Sequence, residues 1–237
     1  MKTITITGHN RPKYLKQVLD SLGENNLSEY SRLFCGLEPD CYDNYLVCKE
    51  VNFIQKEIRV NPEKFGVRKN PFELLKHAFE SGSEFNVYLE DDSIISPDCL
   101  DMCNWFYNLR NRDDFLCLNF YNYNSDETKP TLMTDKEDFC SLGFAVTKEA
   151  WAKYFEPYWN NEEYRISQGI DLDGIGGWDW CIRAVMKGFN IPVLTPCFSR
   201  SMHIGRELGT HCSPECHDFM FGNKKYNQTI QKHFEFI

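Results

Sequence analysis

The sequence predicts an α/β fold with a mostly parallel central sheet flanked by helices. Three observations carry this. Short β-prone runs near 3–7, 31–37, 56–60 and 85–90 alternate with stretches of helical periodicity. The 237 residues suffice for one large domain with a substantial core. One run, Phe85 to Leu89, ends in three adjacent acids, Glu90, Asp91 and Asp92. In open α/β sheets, ligands gather just beyond such carboxyl ends of strands.

Thr3 to Thr7 form the first strand, which feeds a loop from Thr7 to Pro12 at the top of the sheet. Asn10 is placed to cap a helix with Pro12 in its first turn, and Gly23 ends that helix. Its inner face is Leu15, Val18, Leu19 and Leu22. The loop lacks the glycine spacing of a P-loop or a dinucleotide fingerprint. Ser31 to Leu37 read as the second strand, closing at Glu38, and Lys56 to Val60 as a short third. Asn70 with Pro71 and Glu73 has the look of a capped helix start, with Gly82 as its stop. Ser96 and Pro97 begin another helix through Asn108.

Phe115 to Phe120 and Phe139 to Val146 read as strands, with the polar stretch 121–138 as a surface excursion between them. Thr147 caps the helix of Trp151 and Tyr154. Residues 157–177 are loop-like and glycine-bearing, as lids and substrate loops are. Within it Asp171 and Asp173 lack the remaining ligands of a calcium hand. Trp178 opens a helix to about Gly188, Ile191 to Leu194 form a strand, and the chain ends in a mixed helix. No repeat, low-complexity run or linker divides it, so 1–237 reads as a single domain: 1–98 a nucleotide-binding half, 99–237 an acceptor-binding half.

Composition narrows the function. Thirty-five Asp and Glu against 26 Lys and Arg give a net charge of −9, which offers no broad basic face for nucleic acid. No apolar run approaches the roughly 20 residues that span a bilayer, and the chain opens on a strand rather than a signal peptide. The expectation is a cytoplasmic protein of bacterial or viral origin without a membrane span. The 11 cysteines are then expected reduced. Cys35, Cys99, Cys103, Cys117 and Cys140 fall in apolar runs and read as core. The cluster from His211 to His217 has the ligand types of a zinc site but no second cysteine pair at the usual spacing.

Three adjacent carboxylates are costly unless their repulsion is offset. A hard divalent cation, Mn²⁺ or Mg²⁺, does so by taking carboxylate oxygens together with phosphate oxygens of a substrate. Four separated elements then read as one site: Arg11 after the first strand, Glu38 after the second, the Glu90-Asp91-Asp92 end, and Asp179 between Trp178 and Trp180.

In this order the chain resembles the glycosyltransferase-A fold and, within it, the N-acetylglucosaminyltransferase I type (α-mannoside β-1,2-N-acetylglucosaminyltransferases). The resembling pieces are Arg11-Pro12, Leu89 to Asp92 with Ser96-Pro97-Asp98, Leu142-Gly143-Phe144, Trp178-Asp179 with Arg183, and Ser199 to Met202 with Gly205-Arg206 and His211. The resemblance implies a metal-dependent inverting transfer of a hexosyl or N-acetylhexosaminyl group from a nucleotide-diphosphate sugar, UDP-linked, to an acceptor hydroxyl of a glycan. It implies Asp179 as catalytic base and Asp92 as ligand of Mn²⁺ (or Mg²⁺). Members of the broader fold place a C-terminal histidine on the metal, here His203. Donor binding is implied for Arg11, Glu38, Glu90, Asp91, Arg183, Ser199 and Arg200, with Glu38 at the uracil edge, one methylene longer than the usual Asp. The family has two acids between the tryptophans and this chain has one. Trp159 and Trp178 offer faces for sugar stacking, while Trp180 is assigned to the core. The competing readings are a non-catalytic nucleotide-sugar or glycan-binding module and a transferase acting on modified DNA.

Overall fold

The computed structural model describes residues 1–170, 177–207 and 213–237. Its first part runs Lys2–Gly8 (β1), Pro12–Gly23 (α1), Tyr30–Leu37 (β2), Tyr42–Glu50 (α2), Lys56–Val60 (β3), Gly66–Glu80 (α3) and Phe85–Glu90 (β4). There follow Ser93–Ile95 (β5), Cys99–Tyr107 (α4), Leu118–Asn119 (β6), Leu132–Thr134 (β7) and Phe144–Thr147 (β8). Lys148–Ala150 (α5) runs into a π-helical turn at Trp151–Phe155. The remainder is Glu162–Ser167 (α6), Trp178–Phe189 (α7), Thr195–Pro196 (β9), Ser201–His203 (β10), Pro214–Phe221 (α8) and Glu235–Phe236 (β11).

The main sheet has the order β3-β2-β1-β4-β8-β6. The four strands from β3 to β4 pair in parallel, and β8 is antiparallel to both β4 and β6. The expected mixed α/β sandwich is therefore present. Two cores cover it. On one face α1 and α4 pack through Leu15, Val18, Leu22, Leu100 and Phe106 against Ile4, Ile6, Val87 and Leu89. On the other, Tyr88, Phe144, Phe155, Trp159, Trp178 and Ile182 form an aromatic block. The alternation along β4 explains the split, since successive side chains point to opposite faces.

A small antiparallel ribbon decides the site. In it β5 pairs with β10, with His203 opposite Ser93. The backbone N–H of Ile204 donates to the Asp92 carbonyl at 2.8 Å. The last third of the chain is thereby stitched directly onto the acid end of β4.

Several boundaries differ from expectation. Helix α3 starts at Gly66, so Asn70 and Pro71 lie inside it. Asn70 is buried there, donating to the Gly36 carbonyl at 3.2 Å and accepting from Asn61. The residue before α1 is Arg11, with no side-chain cap, and Asn10 instead takes a left-handed turn with φ 52°. Asn is one of the residues that tolerates this region. The strand expected over 139–146 begins only at Phe144, because Gly143 has φ 92° and a tight turn returns its N–H to the Ser141 carbonyl at 2.7 Å. A side chain at Gly143 would also meet the Phe120 ring at 2.6 Å. The expected loop 157–177 contains α6, capped by the Asn161 side chain. Residues 171–176 of it, including Asp171 and Asp173, lie outside the described residues. The chain closes on β11 paired with β7 rather than on a helix. The Thr147 cap is as expected, accepting from the Ala150 N–H at 3.2 Å. All five cysteines assigned to the core are buried and free. Among the described residues no helix is long and apolar enough to cross a membrane.

Candidate active site

A cavity of about 730 Å³ opens at the carboxyl edge of the parallel strands, within the range that holds nucleotide-sized ligands. Its lining includes Arg11 from the loop after β1, Glu38 after β2, Glu90 to Asp92 at the tip of β4, Asp179 at the start of α7, and His203 of β10. Seven of the residues singled out from the sequence thus meet in one place.

The acids there are poorly solvated. Asp91 and Asp92 are only 2% and 4% exposed. Burial pushes Glu90 well above the usual carboxylate range, and the charges of Asp92 and Asp91 add to the effect. Asp179 is among the charges that raise it further, so the two carboxyls sense each other across the cavity. Burial also raises Asp91, to about 6, against the opposing pull of Arg11. For Asp92 burial acts upward too, but His203 and Arg11 outweigh it and hold the carboxyl below its ordinary range.

Arg11 spans the pair. One guanidinium nitrogen donates to Asp91 Oδ1 and the other to Asp92 Oδ2. The His9 backbone N–H donates to Asp91 Oδ2 at 2.9 Å. His203 Nε2 stands 3.3 Å from Asp92 Oδ2. Behind this oxygen lies Gly205, where an added Cβ would stand 2.4 Å from it. That glycine is required by close approach, and the sequence reading assigned it no such role.

The donor set fits a hard divalent ion. Asp92 Oδ1 is buried and, among the described residues, has no hydrogen-bond partner, a costly state unless a ligand completes it, and His203 Nε2 stands at the other oxygen of the same carboxylate. Among the described residues no group of three or more His, Cys, Asp or Glu is arranged to hold a metal ion. One carboxylate and one imidazole leave coordination positions for phosphate oxygens and water, as Mg²⁺-type sites at diphosphates do. The zinc expectation at 211–217 cannot be placed, since His211 and Cys212 lie outside the described residues. Cys216 is exposed, and His217 Nε2 lies 3.2 Å from the His203 carbonyl.

Asp179 sits in the first turn of α7, a helix preceded by Gly177. The carboxylate folds back over that glycine, whose Cβ would lie 2.5 Å from Asp179 Oδ1.

Other residues are placed differently from expectation. Glu38 lines the cavity, but its oxygens accept from the backbone N–H groups of Phe65 at 2.8 Å and Gly66 at 2.7 Å. It satisfies the start of α3, a use that its position after a strand does not reveal. Arg183 is not part of the lining: its Nε donates to the Phe139 carbonyl at 3.0 Å and its guanidinium lies over the Trp180 ring. Ser199 and Arg200 are wholly buried away from the cavity. Ser199 bonds to the backbone of Asn122, and Arg200 pairs with Asp98. The tryptophans divide differently from expectation. Trp159 and Trp178 stack on each other at 4.0 Å, both nearly fully buried; Trp178 and the half-buried Trp180 line the cavity, and Trp159 does not. Lys64, Tyr88 and Ser141 also line it, and nothing in their local sequence marks them.

No protein-family model and no curated sequence matches the chain significantly. Solved structures do. One is the mannosyltransferase PcManGT from Pyrobaculum calidifontis in complex with GDP-Man and Mn²⁺, at 13% identity and TM-score 0.51, covering 82% of this chain and 54% of that one. Another is S. aureus TarS 1–349 in complex with UDP-GlcNAc, at 14% identity and TM-score 0.53, covering 89% and 60%. A third is the galactosyltransferase LgtC with donor and acceptor sugar analogues, at 11% identity and TM-score 0.53, covering 81% and 72%. The chain spans little more than half the length of the first two. At such identities the likeness shows the fold, which is that of the glycosyltransferase-A enzymes. None of the three is an N-acetylglucosaminyltransferase I, so that narrower resemblance stays with the sequence.

Proposed function

We propose that the chain is a metal-dependent inverting glycosyltransferase that moves a sugar from a nucleotide-diphosphate sugar to an acceptor hydroxyl. The observation that carries this reading is the pairing, in one cavity, of the acid end of β4 with Asp179 at the start of α7. The likeness to glycosyltransferases that bind GDP-Man and UDP-GlcNAc supports it.

Asp92 and His203 would hold Mn²⁺ or Mg²⁺, and the ion when bound supplies charge neutralisation for the departing diphosphate. Arg11 grips phosphate oxygens from the same side, with a fork suited to them. Glu90 and Asp91 lie beside the donor's sugar and ribose. Asp179 removes the proton of the acceptor hydroxyl from the opposite side, its carboxylate oriented by Gly177 and the first turn of α7. Trp180, the more exposed of the two tryptophans in the lining, offers an aromatic face to a sugar ring. A single base and a single displacement invert the anomeric carbon.

The test is Asp179→Asn. It should keep nucleotide-dependent stabilisation, read as a melting-temperature rise with Mn²⁺ plus UDP or GDP. It should lose about 10²–10⁴-fold in nucleotide release from UDP- or GDP-sugars, the range typical of a general base. A variant that turns over normally would remove Asp179 from that role. A wild-type chain that binds nucleotide but never releases it from any sugar donor would favour a binding module.

A further inference from the structure

Arg11 occupies the ground between the two carboxylates at the tip of β4, the place where a cation is wanted. Its fork reaches one oxygen of each of Asp91 and Asp92. The oxygen it takes on Asp92 is the one that His203 Nε2 approaches to 3.3 Å, while Asp92 Oδ1 stays without a partner. The Arg11 side chain is 16% exposed and lies at the cavity rim, so it is less deeply sealed than the carboxylates it holds. Among the described residues, the side-chain hydrogen bonds of its guanidinium all go to these two acids.

From this geometry we infer that Arg11 is a resident counter-ion that makes the site selective for a metal ion arriving with a nucleotide diphosphate over the bare ion. The inference rests on Asp92 and His203 being the metal-holding pair. The charges give the reason. With Arg11 in place, the Asp91–Asp92 pair carries one net negative charge. A bare divalent ion must either displace the guanidinium or sit beside it as a like charge in a poorly solvated place. A diphosphate changes both terms. Its oxygens fill the ion's open positions and give the released guanidinium a bidentate partner of equal quality. Asp92 and His203 would be the only protein donors proposed for the ion, and no group of three or more His, Cys, Asp or Glu is arranged to hold one among the described residues, so the protein alone would bind it weakly. Arg11 thus moves from carboxylates to phosphates as the donor enters, and its release couples the two ligands.

The test is Mn²⁺ binding by electron paramagnetic resonance or calorimetry, with no sugar donor and no turnover. Wild type, Arg11→Gln, Arg11→Lys and Lys64→Gln are compared with Mn²⁺ alone and with Mn²⁺ plus UDP or GDP. Arg11→Gln should bind Mn²⁺ alone about tenfold more tightly than wild type, a coupling of ordinary size, while binding nucleotide more weakly. Arg11→Lys should also gain Mn²⁺ affinity, because an ammonium cannot fork two carboxylates, and it serves as the readout if the glutamine variant does not fold. Lys64→Gln removes the same charge from the cavity lining without touching the acid pair, so it should leave Mn²⁺ affinity within about twofold of wild type. Unchanged Mn²⁺ affinity in both Arg11 variants, or an equal gain in Lys64→Gln, would overturn the inference and leave the functional reading standing. Absence of Mn²⁺ binding in every protein, with or without nucleotide, would overturn both.

Discussion

Arg200 with Asp98 and Arg11 with Asp91 and Asp92 are ion pairs of the same residue types, and little else about them agrees. Both members of the first pair are fully buried. Arg200 Nε lies 3.0 Å from Asp98 Oδ1, and its other nitrogens donate to the Phe198 and Pro130 carbonyls. Asp98 also accepts from Ser96 Oγ at 2.6 Å and from the Gln231 N–H at 3.2 Å. Each nitrogen of the guanidinium and each oxygen of the carboxylate has a partner, and the pair ties the start of α4, the segment just before β7 and the C-terminal segment together. The second pair faces a cavity, spans two carboxylates with one guanidinium, and leaves Asp92 Oδ1 without a partner among the described residues. A saturated pair holds a fold together, whereas an unsaturated one at a rim is set up to exchange partners. Burial alone does not separate them; the unmet hydrogen bonds do.

Three measurements sharpen this contrast. The largest effect is expected for Arg200→Met, which strands the Asp98 carboxylate in the core. It should lower the unfolding free energy by about 3–5 kcal/mol in urea titrations. Adding Asp98→Leu should restore much of that loss, since replacing both partners removes the stranded charge. If Arg200→Met unfolds like wild type, the pair is not the clamp described. Next comes Gly205→Ala, whose Cβ would stand 2.4 Å from Asp92 Oδ2. It should cost about 1–3 kcal/mol as overpacking and weaken Mn²⁺–nucleotide binding together with it. Retained stability and retained binding would show that the approach is not tight.

The smallest effect is a slope. Asp91 is held at about 6 in the folded chain by burial, against about 3.9 unfolded. Between these values the folded state binds the extra proton. Asp91 therefore favours folding fully below about 3.9, and this contribution is lost as the pH rises through about 6. In metal-free buffer Asp91→Asn should gain melting temperature relative to wild type on going from pH 4 to pH 7. A constant difference over that interval would contradict the shift.

The first ninety residues were legible because their elements are long and periodic. β1, β2, β4 and α1 carry apolar faces that no other packing could bury so well. The acid end of β4 was legible because three carboxylates after a buried strand conflict with its environment, and such conflicts mark sites. After residue 100 the strands shrink to two to four residues, too short for periodicity to register. Arg200 misled because the sequence cannot show that Asp98 waits 102 positions upstream as its partner. Glu38 reaches the cavity as expected, but its second use was hidden, since the N–H groups it satisfies belong to a helix that starts four residues before its apparent signal at Asn70. Trp180 was misread because a helix of mixed polarity does not reveal that its ring is left half-buried in the cavity wall. For Arg200 and Glu38 the missing information was a long-range partner.

The ribbon that sets His203 opposite Ser93 has a consequence for the order in which the protein is made. β1 to β4 are translated in the first ninety residues, with the acids already at their tip. The histidine that completes the pair emerges more than a hundred residues later. A chain still on the ribosome and stalled short of position 201 would carry the carboxylates and Arg11 but not the imidazole. If Asp92 and His203 are the metal-holding pair, such a chain is expected to take up a manganese–nucleotide complex more weakly at that place than one in which β10 is paired with β5.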